Sequence, residues 1–321
     1  MVEALGKILV IRGGAIGDFI LTLPVLTALR RQFPLAPLEV LGYPHIVQLA
    51  LAGGLADQVR SIEARALAGF FAARSPLDQD LANYFGSFSL ILSYLYDPDT
   101  IFRVNVARCS KAQFIVGPHR PSDTLDLHAT EVFLQPLERL AIFSADPIPR
   151  LRLDSRRAST MPLADTHPHD APGGTPCLAL HPGSGSERKN WPEEKWAEFL
   201  RGLAVATDLK FLLVGGEAEG DRLNRLSAAL PKDRTQRAQN LPLLELAVRL
   251  QQCRAFVGHD SGISHLAAAL GLDGLILWGN TNCSVWGPRS ERMGILRTDG
   301  RLDRLPAKQV MEELLALLKK A

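Results

Sequence analysis

Three stretches of the chain put polar side chains where backbone and side chain together can bind or activate a ligand. Residues 11–24, IRGGAIGDFILTLP, read as a strand end, a glycine turn and a helix start. Such a turn lets a ligand approach backbone amides at a helix N-terminus. Asp18, at the start of the helix, points toward the strand C-terminal edge where α/β sites form. A carboxylate there can take a proton from an attacking hydroxyl, or simply complement the helix dipole. The stretch is not a dinucleotide fingerprint, because Arg12 stands where G-x-G-x-x-G needs its first glycine. Glu39 begins the second strand instead of ending it, so no ribose-binding acid is in place and nicotinamide binding is not expected.

Residues 180–192, LHPGSGSERKNWP, follow a second strand type of signal. Ser184, Gly185 and Ser186 offer hydroxyl and amide donors to phosphate oxygens, and Lys189 can neutralise their charge. The Gly-Lys-Ser/Thr ending of a P-loop is absent, and a plain loop with an exposed lysine is the competing reading. Residues 257–271, VGHDSGISHLAAALG, place Asp260 at a strand end and the Ser261 and Gly262 amides at a helix N-terminus, with His265 one turn on. The bland alternative is Asp260 as a helix cap and His265 as a satisfied, half-buried histidine. A nucleophile elbow is excluded, since G-x-S-x-G would need serine at position 260. Glu217 and Glu219, after KFLLVGG, stand where a carboxylate accepts ribose hydroxyls, or form a solvated turn. Asp97-Pro98-Asp99 reads as a turn.

The elements that position these residues alternate. Short apolar strands are expected at 7–11, 38–43, 90–96, 112–117, 177–183, 210–216, 254–262 and 275–280. Helical patterns are expected at 18–32, 45–51, 128–143 (bent or ended by Pro136), from 193, from about 221, at 263–271 and at the C-terminus. Strand and helix in alternation imply parallel sheets built from βαβ units. Residues 154–176 break the rhythm with four prolines and two glycines among small polar residues. The expected organisation is an N-terminal Rossmann-like domain at 1–155, a linker at 156–176, a second Rossmann-like domain at 177–306 and a closing helix at 307–321.

Composition narrows the function classes. Hydrophobic residues make up 46% and charged residues 22% of 321, as in an ordinary globular protein. The net charge is +2, with 14 basic and 15 acidic groups through residue 155 and 22 and 19 after it. No basic half exists, so nucleic acid is not an expected partner. The four cysteines are widely spaced, without CxxC, which argues against zinc or a disulfide scaffold and for a reducing cytosol. The apolar run at 8–11 is too short for a signal peptide and no stretch is long enough for a membrane span, so a cytoplasmic protein is expected.

Taken together, GGAIGDFILTLPVLTALR, HPGSGSERKNWPEEKWAEF and FVGHDSGISHLAAALG followed by LWGNTN resemble glycosyltransferase family 9, the ADP-heptose:lipopolysaccharide heptosyltransferases. The resemblance implies an α/β GT-B architecture: two Rossmann-like domains whose parallel sheets face an interdomain cleft, with acceptor in the first and sugar nucleotide in the second. It implies inverting, metal-independent transfer, with no cofactor beyond an ADP-linked sugar donor. A glycan or glycolipid acceptor such as lipopolysaccharide core is implied, and with it peripheral contact with the inner membrane surface. Asp18 matches the family's general base and Lys189 its phosphate-binding lysine. Asp260, Ser261, Gly262 and His265 match its nucleotide block, Ser184 and Ser186 its donor loop, and Glu217 or Glu219 its ribose-contacting acid. Two departures stand out. Gly279-Asn280-Thr281-Asn282-Cys283 replaces the usual G-P-T-x-P, and LYDPDTIFRVNVARCSKAQFIVG replaces a polar, glycine-containing acceptor segment. A sugar-nucleotide epimerase or hydrolase, and a catalytically inactive sugar-nucleotide-binding protein, are the alternative readings.

Overall fold

The structure is a computed structural model that describes residues 6–122, 124, 126–153, 175–298 and 300–320. Contacts divide the chain into two units, 1–154 and 155–321. The expected linker at 156–176 lies outside the described residues except for Thr175 and Pro176.

Among the described residues unit 1 holds five strands: β1 Lys7–Arg12, β2 Leu38–Gly42, β3 Gln58–Ser61, β4 Phe88–Ser93 and β5 Gln113–Val116. All pair in parallel, in the order β3-β2-β1-β4-β5. The central strand β1 is a continuous apolar run because a sheet covered on both faces offers no solvated side. One face rests on Phe70, Phe85, Phe88 and Phe102, packed around Leu9, Ile11 and Ile91. The single helix expected at 18–32 is two helices, Ile16–Ile20 and Leu23–Gln32. Pro24 has no N–H to donate back to Ile20, so the first helix stops and a new one starts with proline in its first turn. Asp18 is therefore the third residue of a short helix. Pro136 acts as expected: Ala129–Leu134 is α-helical, and Gln135–Leu140 tightens to 3₁₀. Asp97 also ends in a turn, with its carboxylate accepting from the amides of Phe102 and Arg103 at the start of helix Ile101–Ala107.

Unit 2 holds β6 Cys177–His181, β7 Lys210–Gly215, β8 Thr235–Gln239, β9 Ala255–His259, β10 Asp273–Trp278 and β11 Met293–Arg297. The order is β11-β10-β9-β6-β7-β8, again parallel throughout. The chain winds outward from β6 in one direction and from β9 in the other. These two neighbours are the switch point, and the crevice past their C-terminal ends is where doubly wound sheets bind ligands. Helices Glu193–Ala206 and Ala307–Lys320 cover the sheet through Trp196, Phe199, Leu203, Val310 and Leu314. Strand β9 stops at His259, so Asp260 is the first residue beyond it. Among the described residues no helix is long and apolar enough to cross a membrane.

Candidate functional site

In unit 2 the loops leaving β6, β9 and β10 converge at the switch point. Asp260, 9% exposed, is held from two sides: Lys189 Nζ lies 2.7 Å from its Oδ2, and Thr281 Oγ1 donates to the same oxygen at 2.6 Å. A nearly buried carboxylate needs such partners, because an unpaired charge away from water is costly. Thr281 belongs to the GNTNC loop that departs from the family pattern, and spacing alone does not single it out within that loop. Beside Asp260, Ser261 caps helix Gly262–Ala269 by accepting from the Ser264 amide at 3.3 Å. Its hydroxyl also lies 3.3 Å from His181 Nδ1. Gly262 is the first helical residue, so backbone N–H groups project at the end of β9 as an anion site requires. His265 is buried within the helix, 6% exposed.

The loop after β6 is fixed at both ends by a histidine that no motif spacing signals. His259 is fully buried, and its Nε2 accepts from the Trp191 amide at 3.0 Å and the Trp196 indole N–H at 3.2 Å. Both partners are donors only, so Nε2 carries the lone pair and the proton sits on Nδ1. That N–H faces Gly183 O at 3.3 Å. Burial, with His181 nearby, pushes His259 down to about 3, and burial pushes His181 to about 4. Both rings are neutral near pH 7. His259 thus ties Gly183, where the loop begins, to Trp191, where it ends.

Within that loop Ser184 is occupied: its hydroxyl donates to Ser186 O at 2.8 Å and accepts from Ser186 N at 3.3 Å. Gly185 is exposed and a side chain added there would meet nothing within 4 Å. Arg222 grips Glu187 through two contacts of 3.0 and 2.8 Å, which holds that carboxyl below the usual range. The choice between Glu217 and Glu219 is made by packing. Glu217 is exposed, whereas Glu219 accepts from the Gly216 amide at 2.8 Å and lies against Gly183, where any Cβ would collide with it. Glu219 is therefore the acid adjoining the loop after β6. Among the described residues, no group of three or more His, Cys, Asp or Glu side chains could hold a metal ion.

In unit 1, Asp18 keeps its side chain 28% exposed past the end of β1. Its Oδ2 accepts from the Ala15 amide at 3.0 Å, and its Oδ1 lies 3.5 Å from Arg12 Nη2. Gly14 makes room for this, with φ of +99° and an imagined Cβ only 2.8 Å from Asp18 Oδ2. Arg12 entered the sequence reading only as a missing glycine. It is 3% exposed, and burial lowers its pKa against the opposing pull of Asp18.

A family model described as glycosyltransferase family 9 (heptosyltransferase) matches residues 144–314, just over half the chain. Lipopolysaccharide heptosyltransferase 1 of Pseudomonas aeruginosa is 38% identical over 121 residues. That match spans 37% of this chain and 33% of the relative, so the chain covers about a third of that protein's length. A glycosyltransferase family 9 structure from Veillonella parvula superposes with a TM-score of 0.78 at 17% identity, covering 100% of this chain and 99% of the other. An Escherichia coli structure described as ADP-heptose lps heptosyltransferase II gives 0.75 at 18%, covering 98% and 99%. These structural likenesses show the two-unit GT-B fold. The chain belongs to glycosyltransferase family 9, the heptosyltransferase family.

Proposed function

We propose that this protein transfers a heptose from an ADP-linked donor to a hydroxyl of a lipopolysaccharide-core glycan or glycolipid, inverting the anomeric centre without a metal. The observation that carries the reading is the meeting of Lys189, Asp260 and Thr281 at the β6/β9 switch point, beside the N-terminus of helix Gly262–Ala269. The ADP carrier and the heptose come from the names of the similar proteins.

The reaction asks unit 1 for a base and unit 2 for a diphosphate site, and each holds a candidate. Asp18 takes the proton as the acceptor oxygen forms its bond to the anomeric carbon from the face opposite the diphosphate. The bond from that carbon to the β-phosphate oxygen breaks, and its electron pair leaves with ADP. Charge gathers on the diphosphate as this happens, and Lys189 with the amides at Ser261 and Gly262 are the groups to meet it. Glu219 accepts the ribose hydroxyls beside the loop. Contact with the inner membrane surface follows from such an acceptor.

A nucleotide panel tests the donor half. Ligand that binds only the folded state stabilises it by about 2.7 kcal/mol at one hundred times Kd. ADP raises the unfolding temperature more than UDP or GDP does on this reading. Equal responses, or none, would remove it.

A further inference from the structure

We infer that Arg12 is the positioning residue for the Asp18 carboxylate, an inference that rests on Asp18 being the base. Arg12 ends β1 with its guanidinium almost fully enclosed, 4.5 Å above the ring centre of Phe133. Its Nη1 donates to His119 O at 2.9 Å, in the loop after β5. Its Nη2 faces Asp18 twice, at 3.4 Å from the backbone oxygen and 3.5 Å from Oδ1. Its Nε is buried and has no hydrogen-bond partner. A guanidinium with one donor unsatisfied is an expensive interior residue, and a neutral side chain of similar volume would be easier to bury.

What the cation supplies is a fork. One arm is anchored on the His119 carbonyl and the other is presented to Asp18, a span that a point charge such as lysine does not reproduce. The remaining contacts complete the clamp. Thr22 Oγ1 donates to Asp18 O at 2.8 Å, and the Ala15 amide holds Oδ2. The two carboxylate oxygens thus face different groups: Oδ2 accepts from the Ala15 amide, and Oδ1 is ion-paired with the Arg12 guanidinium at 3.5 Å. The carboxylate keeps one orientation while a quarter of its side chain faces solvent. A proton acceptor depends on that orientation, since misplacing a reacting group by about 1 Å costs roughly 10²-fold in rate.

The test is a double-mutant cycle on the full chain. The readout is ADP release from ADP-heptose, with lipopolysaccharide from a heptose-deficient strain as acceptor. Arg12→Met lowers kcat about 10²-fold, while the KM for ADP-heptose and the affinity for ADP, which unit 2 supplies, stay at wild-type values. Arg12→Lys falls between wild type and Arg12→Met. In an Asp18→Asn background, Arg12→Met changes kcat by no more than about twofold. A crystal structure of Arg12→Met shows the Asp18 carboxyl turned from its present position, which keeps the proposal open to refutation should kinetics be lost to misfolding. Wild-type kcat in Arg12→Met, an equal loss in both backgrounds, or an unmoved carboxyl would overturn it. Full turnover in Asp18→Asn alone would bring down the base assignment itself, and this inference with it.

Discussion

Lys189 Nζ sits 2.7 Å from Asp260 Oδ2, so the cation proposed to meet the diphosphate is oriented by a carboxylate from the neighbouring strand end. Lys189 is 36% exposed although Asp260 is nearly buried, so the pair contributes modestly to the fold. Its value is directional. Lys189→Ala therefore weakens ADP binding by about 10–100-fold, the range of a lost charge-assisted hydrogen bond, and lowers the stability of the ligand-free protein by no more than about 1 kcal/mol, since Thr281 still donates to Asp260. Isothermal titration and urea denaturation check the two halves. An unaltered ADP affinity would remove Lys189 from the site.

His259 gives the opposite pattern. His259→Leu leaves the Trp191 amide and the Trp196 indole N–H without an acceptor in the interior. An unsatisfied buried donor costs about 1–3 kcal/mol, so unit 2 loses about 2–4 kcal/mol and ADP affinity falls as the loop from Gly183 loosens. His259→Gln keeps an acceptor and a donor and recovers part of both. A leucine variant as stable as wild type would show that the three contacts carry no weight.

The same two buried rings set a pH dependence. Unfolded histidines take a proton near 6.5, whereas His259 and His181 resist it down to about 3 and 4. Below 6.5 the unfolded state binds more protons, so stability is full above that pH and declines as the pH falls toward 4. The slope approaches about 1.4 kcal/mol per pH unit for each ring. Urea midpoints from pH 7.5 to 4.5 measure it, and His181→Gln should flatten the curve. Stability that rises on acidification across this window would contradict the neutral assignment.

Gly14 tests the geometry around the base. At φ of +99° alanine is strained, and its Cβ would press on Asp18 Oδ2. Gly14→Ala costs about 1–3 kcal/mol of stability and lowers turnover while ADP affinity holds. Normal turnover in that variant would mean that Asp18 tolerates displacement.

How much of this was legible beforehand follows from burial. The inner strands β1, β2, β4, β6, β7, β9 and β10 announce themselves as apolar runs because both faces are covered. The outer strands β3, QVRS, and β8, TQRAQ, carry mostly exposed or half-exposed side chains and give no such run. The site shows the same division. Residue type and spacing singled out Asp18, Lys189 and Asp260, and the structure places each past the C-terminal end of a strand. They could not show that Glu219, not Glu217, packs against Gly183. Nor could they show that the Ser184 hydroxyl bonds within its own loop, or that Arg12, Thr281 and His259 support the residues around them. The contacts of His259 and Thr281 join residues far apart in sequence, and those of Ser184 and Arg12 depend on side-chain directions that spacing does not set.

The most direct measurement is ADP release from ADP-heptose by the purified full chain, with and without heptose-deficient lipopolysaccharide. ADP should appear only with acceptor, in step with a glycosylated product of inverted anomeric configuration, and Asp18→Asn should slow it about 10²–10⁴-fold. ADP released equally without acceptor, or donor bound with no turnover on the acceptor, would contradict transfer as the activity.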